Sequence, residues 1–250
     1  MIETATLGRV FQVTLNRPEK RNALNMAVCR ELLAAFDRAE ADAKVGAILL
    51  CGNGPAFCAG MDLAEVLAAD QKELMALHDR LFTVIDRARK PIVAAVQGPA
   101  LAAGMGVAAN AHIVIAGNDA RFALTEIRIG LWPAVIFRAV ERAIGERRTT
   151  ELSITGRMMD AEEAFRAGLA AEIAEDPKSR ALQIASHLAS FSTVAMAVGL
   201  EHVARTRGLS WHDAAAVNDE LRARMMASGD FREGVNAFLE KRPPRWPSIT

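Results

Sequence analysis

The stretch between Lys90 and Asp119 is the strongest constraint on the fold, because it contains no Asp, Glu, Lys or Arg. Its ends are rich in β-branched residues, as in strands, and its middle is rich in Ala and Gly, as in a closely packed helix. The polar residues Gln97, Asn110 and His112 interrupt it, which disfavours a membrane span of that length. We therefore expect a strand, a loop, a buried helix and a second strand within the core of a globular domain.

Strand and helix patterns alternate up to Pro133, whereas helical patterns alone follow it. Alternating or continuous apolar runs predict strands at Val10–Leu15 and Ile48–Leu50. Apolar residues at helical spacing predict helices at Met26–Ala43 and Leu74–Ala88. This order is typical of a mixed α/β core with a helical C-terminal extension.

The composition limits which binding partners and which cellular location we expect for the protein. The 30 acidic and 30 basic residues cancel, so we expect neither nucleic acid nor an anionic membrane as a partner. The N-terminal segment lacks the basic-then-apolar pattern of a signal peptide, which favours a cytoplasmic protein. Cys29, Cys51 and Cys58 lack metal-ligand spacing and the five histidines form no close pair. We therefore expect free thiols and no metal site.

Two small, glycine-bearing segments, residues 57–63 (FCAGMDL) and 98–106 (GPALAAGMG), carry the strongest chemical signal. Each follows a strand-like apolar run and leads into a helical pattern, and Asp62 is placed to cap the first of these helices. Backbone N–H groups at two such helix starts can stabilise a developing oxyanion, which indicates carbonyl chemistry. Three other motifs do not fit. In a dinucleotide fingerprint the glycines follow the strand directly, whereas residues 98–103 intervene here. A P-loop requires Lys and then Ser or Thr after the glycines, and a nucleophile elbow requires Ser within Gly-x-Ser-x-Gly; the sequence has neither.

These segments resemble those of the enoyl-CoA hydratase/isomerase (crotonase) superfamily, and the resemblance covers nearly the whole chain in order. The matching segments are residues 16–25, 57–63, 97–106, 120–126, 155–157, 161–164, 168–169 and 238–244. The resemblance implies an α/β fold with a crotonase-like core of repeated ββα turns in residues 1–190. Residues 191–250 are then the helical trimerisation region of the same continuous family domain.

The resemblance also implies a substrate and an assembly. The expected substrate is an acyl-CoA thioester, so coenzyme A is part of the substrate and no separate cofactor is expected. The expected assembly is a homotrimer or a hexamer built from two trimers.

By the same resemblance, the oxyanion-hole N–H groups belong to Met61 and Ala103. The first of the two glutamates that hydratases of the family use falls on Gly106, which has no side chain, and the second falls on Glu126. One carboxylate can take a proton from C2 of the acyl chain and return it to C4. The sequence therefore favours isomerisation of 3-enoyl-CoA to trans-2-enoyl-CoA, with Glu126 as the catalytic residue.

Other reactions stay open at this stage. A hydratase would need a second carboxylate, for which Asp70, Glu73 and Asp79 in the adjacent helical segment are candidates. Decarboxylation, thioester hydrolysis and a catalytically impaired acyl-CoA-binding homologue are further alternatives.

The resemblance also suggests binding positions for the two parts of the substrate. Those for coenzyme A are Lys20, Arg21, Ala23, Ala59, Gly60, Phe238 and Lys241, the last two reaching the coenzyme of a neighbouring subunit. Those for the acyl chain are Leu131, Trp132 and Ile136. His112 occupies a position where the family usually has Asp, and we expect it to have a structural role at the start of a strand.

Overall fold

Nine strands in the computed structural model, which describes residues 1–249, form two sheets. Their bounds are β1 (Ile2–Leu7), β2 (Val10–Leu15), β3 (Ala47–Gly52), β4 (Ile92–Val96), β5 (Pro99–Leu101), β6 (Ile113–Gly117), β7 (Arg121–Ala123), β8 (Met159–Asp160) and β9 (Glu172–Ala174). The larger sheet has the order β1-β2-β3-β4-β6-β9 and is parallel except for β1, which pairs antiparallel with β2. The smaller sheet has the order β5-β7-β8.

Two successive ββα turns of the chain each contribute one strand to the larger sheet and one strand to the smaller sheet. β4 of the large sheet is followed at once by β5 of the small one, and β6 is followed in the same way by β7. Because β4 pairs with β6 and β5 pairs with β7, both in parallel, the two turns stack on one another. A mixed α/β core of repeated ββα turns, as predicted, is therefore what the chain forms.

The helices surround the sheets and then continue alone toward the C-terminus. Their bounds are α1 (Met26–Ala41), α2 (Leu63–Ala68), α3 (Gln71–Phe82), α4 (Val84–Arg87), α5 (Ala103–Ala109), α6 (Ala134–Ile144), α7 (Glu146–Thr155), α8 (Ala161–Ala167), α9 (Pro177–Leu188), α10 (Thr193–Thr206), α11 (Trp211–Met226) and α12 (Gly229–Leu239). Short 3-10 turns occur at Pro18–Lys20, Glu126–Ile129 and Pro247–Ile249.

Two sequence-based expectations need correction. The single helix predicted over Leu74–Ala88 is two helices, α3 and α4, which meet at Thr83. The Thr83 hydroxyl donates to the Asp79 carbonyl, a local bond that competes with regular helix hydrogen bonding. The second half of the chain is also not purely helical, since β8 and β9 lie there; with two and three residues they are too short to give a periodic signal.

The charge-free stretch forms β4, β5, α5 and β6, as predicted apart from the added short strand. Its strands alternate between two apolar layers: Ile92 and Ala94 face the main core, whereas Val93 and Ala95 face α9. All seven residues of α5 are buried. Burial on both faces of a parallel sheet explains the continuous apolar sequence.

The C-terminal helices pack mainly on one another. α10 contacts α4, α11 and α12, and α12 also contacts the last 3-10 turn. The division at residue 190 stays a prediction. Within residues 1–249 no single helix is long and apolar enough to cross a membrane; α9 and α10 satisfy length and composition only as a pair, bent by 107°.

Candidate active site

The segment that contains Met61 is held between two neighbours by backbone hydrogen bonds. Cys58 donates to the Pro99 carbonyl (3.1 Å) and accepts from the Leu101 N–H (2.9 Å). On the other side, the Leu24 N–H donates to the Gly60 carbonyl and the Asp62 N–H donates to the Leu24 carbonyl, both at 2.8 Å. In this parallel bridge the Met61 N–H points away from Leu24.

Asp62 precedes α2 as predicted, but its side chain does not cap that helix. Its carboxylate instead accepts from Arg17 Nη1 at 2.9 Å, in an ion pair whose two side chains are largely buried. This pair ties the segment that contains Met61 to the loop at residues 16–25.

A strained turn directs the second backbone donor. Ala102 has φ 49° and ψ −123°, a conformation that favours glycine, and such strain costs about 1–3 kcal/mol. Its N–H donates to the Ala123 carbonyl (2.8 Å), and Ala103 then starts α5. Because the first N–H groups of a helix have no partner within it, the Ala103 N–H is available to a ligand.

Close backbone approach places the two donors on adjacent segments. A Cβ at Gly60, where φ is 101°, would lie 3.0 Å from the Leu101 carbonyl oxygen and 3.8 Å from the Ala103 nitrogen. A Cβ at Gly104 would lie 2.1 Å from the Cys58 carbonyl oxygen, so a larger residue there would separate α5 from the segment. Within residues 1–249 neither the Met61 nor the Ala103 N–H donates a hydrogen bond.

Glu126 supplies a buried carboxylate beside this pair of segments. It starts the 3-10 turn three residues after Ala123, the residue whose carbonyl binds the Ala102 N–H. Its exposed fraction is 7 %, and within the described chain its Oε2 atom has no hydrogen-bond partner. Burial raises the pKa of the carboxyl, although a backbone hydrogen bond opposes the shift. A buried carboxyl with one unpartnered oxygen and a raised pKa is suited to accept and return a proton.

Apolar side chains fill the space beside Gly106. A Cβ added there would lie 2.4 Å from Ile136 Cγ2 and 3.2 Å from a ring carbon of Phe82. Ile136 belongs to α6 and Phe82 to α3, so three helices meet at this point. At position 106 the structure therefore has a packed apolar contact and no polar side chain. Phe82 was not predicted, since its proximity to α5 depends on tertiary packing.

Each of the three carboxylates considered as a second catalytic acid makes another contact or faces solvent. Asp70 caps α3 by accepting from the Glu73 N–H. The Glu73 carboxylate binds Arg30, and Asp79 is exposed. His78 is the buried titratable residue of α3; its ring meets Phe82 edge to face at 5.6 Å, and burial lowers its pKa. The sequence analysis missed it, although Leu74, Leu77 and Leu81 mark by helical spacing the buried face of α3 on which His78 lies.

The three residues predicted to line the acyl pocket differ in burial. Ile136 is buried against Gly106, whereas Leu131 and Trp132 are almost half exposed on the loop before α6. Trp132 stacks on Phe137, with ring centres 5.9 Å apart. The loop and the first turn of α6 thus present an apolar edge next to the 3-10 turn that contains Glu126.

Five of the residues predicted to bind coenzyme A lie together. The Ala59 N–H donates to the Arg21 carbonyl (2.9 Å), and the Ala23 N–H donates to the Lys20 carbonyl (3.1 Å). Gly60 joins them through its bond with Leu24. The Lys20 and Arg21 side chains are exposed, so their charges are accessible to a phosphate group.

Asn22 fixes this loop, although its role was not predicted. It has φ 55°, a left-handed conformation that Asn tolerates better than most residues. Its buried amide donates to the carbonyls of Asn53 and Ala56 and accepts from the Arg17 N–H. The arrangement holds the exposed Lys20 and Arg21 beside the segment that contains Met61.

Phe238 and Lys241 are not brought to this loop within the chain. They lie at the end of α12, which packs against α10, α11 and the last 3-10 turn. Phe238 is 82 % exposed. Their predicted role at a neighbouring subunit stays a prediction.

His112 makes a hydrogen bond within the fold, and the three cysteines are buried. The His112 Nδ1 atom accepts from the Ile92 N–H at 3.0 Å, at the edge of the sheet where β4 and β6 begin. All three thiols are free and buried, and burial raises the pKa of Cys58 to about 12. Within residues 1–249 no group of three or more His, Cys, Asp or Glu residues is placed to hold a metal ion.

Known proteins match this arrangement over almost the whole chain. A family model described as enoyl-CoA hydratase/isomerase matches residues 6–248. A probable enoyl-CoA hydratase of Rhizobium meliloti is 38% identical, over 95% of this chain and 94% of that protein. The 2,3-dehydroadipyl-CoA hydratase of Escherichia coli is 33% identical, over 94% of each.

A solved structure gives the same result for the fold. The enoyl-CoA hydratase of Mycobacterium smegmatis superposes with a TM-score of 0.92 at 32% identity, over 98% of each chain. The predicted crotonase fold is thus confirmed. The chain belongs to the enoyl-CoA hydratase/isomerase family and is an enzyme of the crotonase superfamily.

Proposed function

We propose that this enzyme moves the double bond of a 3-enoyl-CoA to give the trans-2-enoyl-CoA, with Glu126 as the single catalytic acid–base. The observation that carries the proposal is the contrast between the two positions at which hydratases of the family have a glutamate. Glu126 offers a buried carboxylate whose Oε2 atom has no hydrogen-bond partner within residues 1–249, whereas the space beside Gly106 is filled by Ile136 and Phe82. One carboxylate in apolar surroundings suits proton transfer within the substrate better than the addition of water.

The reaction begins with the thioester oxygen between the Met61 and Ala103 N–H groups. Glu126 removes a proton from C2; the C2–H electron pair forms a dienolate, whose negative charge the two N–H groups stabilise. Protonated Glu126 then donates the proton to C4, the double bond forms between C2 and C3, and the carboxylate is regenerated. No water is consumed, so substrate and product have the same mass.

A Glu126→Gln variant tests this role. We expect its isomerase activity to fall by about two to four powers of ten, the contribution of a positioned acid–base. Glu141→Gln is the matched control, because Glu141 is a partly exposed carboxylate of α6 that pairs with the exposed Arg138, and it should retain full activity. Unchanged turnover in Glu126→Gln would contradict the assignment.

Hydration of a trans-2-enoyl-CoA is the second candidate, and the names of the relatives favour it. It requires a group that activates water beside Glu126. Asp70, Glu73 and Asp79 are capping, ion-paired or exposed, which counts against each of them in this role. The product formed from each enoyl-CoA separates the two reactions.

We also propose that the active assembly is a homotrimer or a hexamer of two trimers. Exposed apolar side chains on α12 support an interface there, since monomers rarely expose large contiguous apolar patches. These side chains are Phe231, Val235, Phe238 and Leu239. Sedimentation velocity should therefore give a trimer or hexamer mass, and a monomer at micromolar concentration would contradict it. A cytoplasmic location and the absence of a separate cofactor stay predictions.

A further inference from the structure

A cleft of about 280 Å³ lies between α10 and the core, at the edge of the large sheet where the strands begin. His112, which precedes β6 and bonds with the first residue of β4, forms one wall. Ala103 and Glu126 instead follow the ends of strands. Because β4 has five residues, the two edges are about 16 Å apart. The cleft is therefore separate from the candidate active site.

Two arginines from different elements line this cleft. Arg142 comes from α6, and Arg207 directly follows α10. Within the described residues the Arg142 guanidinium makes only long polar contacts: 3.4 Å to the Ala109 carbonyl oxygen and 3.6 Å to Asp86 Oδ1. Its side chain is mostly buried, so much of its hydrogen-bonding capacity is directed into the cleft and unused.

The charges in the cleft do not balance. Asp86, at the rim, is the carboxylate that both Arg142 and Arg207 contact. Since the His112 Nδ1 atom accepts a hydrogen bond, the ring proton lies on Nε2, a further donor for the cleft. Burial and the two nearby arginines lower the pKa of His112 to about 4. One positive charge is thus left without a partner.

We propose that this cleft binds a compact anion, a phosphate or a carboxylate group, between Arg142, Arg207 and His112. Arginine forms charge-assisted and often paired hydrogen bonds with the oxygen atoms of such groups. The volume leaves room for a small anion together with several waters, and the remaining walls are apolar, as at Val203 and Leu169. A bound anion would link α10 to α6 and the start of β6, which stabilises the packing of the C-terminal helices on the core.

The His112 resonance in an NMR titration of the full chain tests the proposal. Protein with ¹³C-labelled histidine is titrated with inorganic phosphate, and separately with acetate, at constant ionic strength. The signal that disappears in His112→Asn identifies the residue. We expect it to shift saturably and the pKa of His112 to rise, because an anion offsets the charge of the arginines. Stronger binding of phosphate identifies a phosphate site, and stronger binding of acetate a carboxylate site.

Variants decide whether the arginines form the site. Arg142→Gln and Arg207→Gln should each weaken binding about tenfold or more, which is about 1.4 kcal/mol. Arg138→Gln, an exposed change on the same helix as Arg142, should bind as the unchanged protein does. Unaltered signals from the other four histidines show that a variant is folded. If Arg142→Gln does not fold, Arg207→Gln still tests the proposal, because Arg207 lies just after the end of α10. A His112 signal that fails to saturate with either anion, or equal affinity in a folded arginine variant, would overturn the proposal.

Discussion

At the scale of single residues, the burial that suits Glu126 to its proposed catalytic role also costs stability. Burial raises its pKa in the folded chain, so the folded state favours the protonated form. As pH rises from the ordinary carboxyl range through the raised value, the unfolded chain releases this proton first. The folded state therefore loses stability over that window.

Removing the charge should consequently stabilise the fold while it lowers the proposed isomerase activity. We expect Glu126→Gln to unfold at a higher urea concentration than the unchanged protein at pH 8, and the difference to shrink toward pH 4. Urea titrations at both pH values measure it, with Glu141→Gln as the surface control. A variant that is less stable at pH 8 would show that the carboxylate is well solvated or paired.

The same residue illustrates what sequence can and cannot provide. Glu126, Met61 and Ala103 could be predicted as site residues because each lies within a recognisable local segment. The contact of Gly106 with Ile136 and Phe82 was not predicted, since it joins three helices that are distant in sequence. Burial and the missing partner of Glu126 likewise depend on packing rather than on neighbouring residues.

At the scale of elements, the position of α5 depends on a glycine that allows close approach. Gly104→Ala would place a methyl group 2.1 Å from the Cys58 carbonyl oxygen, so α5 must shift away from the Met61 segment. We expect a loss of several kcal/mol in stability and most of the activity. Gly199→Ala in α10, where the space is open, should instead stabilise by about 1 kcal/mol. Thermal unfolding of both variants measures the contrast, and a neutral Gly104→Ala would refute it.

The meeting of α3, α5 and α6 should also control which reaction is possible. Gly106→Glu alone forces a side chain into Ile136, and we expect overpacking to destabilise the chain by about 1–3 kcal/mol or more without hydratase activity. Gly106→Glu combined with Ile136→Ala provides both a carboxylate and room for water. We expect the double variant to hydrate trans-2-enoyl-CoA, measured by loss of enoyl absorbance. Equal hydration by the single variant would show that Ile136 is not an obstacle.

At the scale of the whole molecule, the order of elements was predictable because the core is apolar in distinct runs. The strand β2 has the predicted bounds, and α1 begins at the predicted residue and ends two residues earlier than predicted. The strands β8 and β9 and the break at Thr83 were missed, since two- or three-residue strands and a single hydroxyl leave no periodic pattern. The proposed subunit interface involves side chains of α12 such as Phe238 and Leu239, whose exposure depends on how that helix packs and not on a local sequence pattern.

Product analysis tests the central claim, a single-carboxylate isomerase, most directly. The purified protein is incubated separately with a 3-enoyl-CoA and a trans-2-enoyl-CoA, and the products are identified by chromatography and mass. The account predicts that the first is converted to the trans-2-enoyl-CoA with no change in mass, and that the second gains water only slowly. Rapid hydration of the second, with no isomerisation of the first, would contradict it.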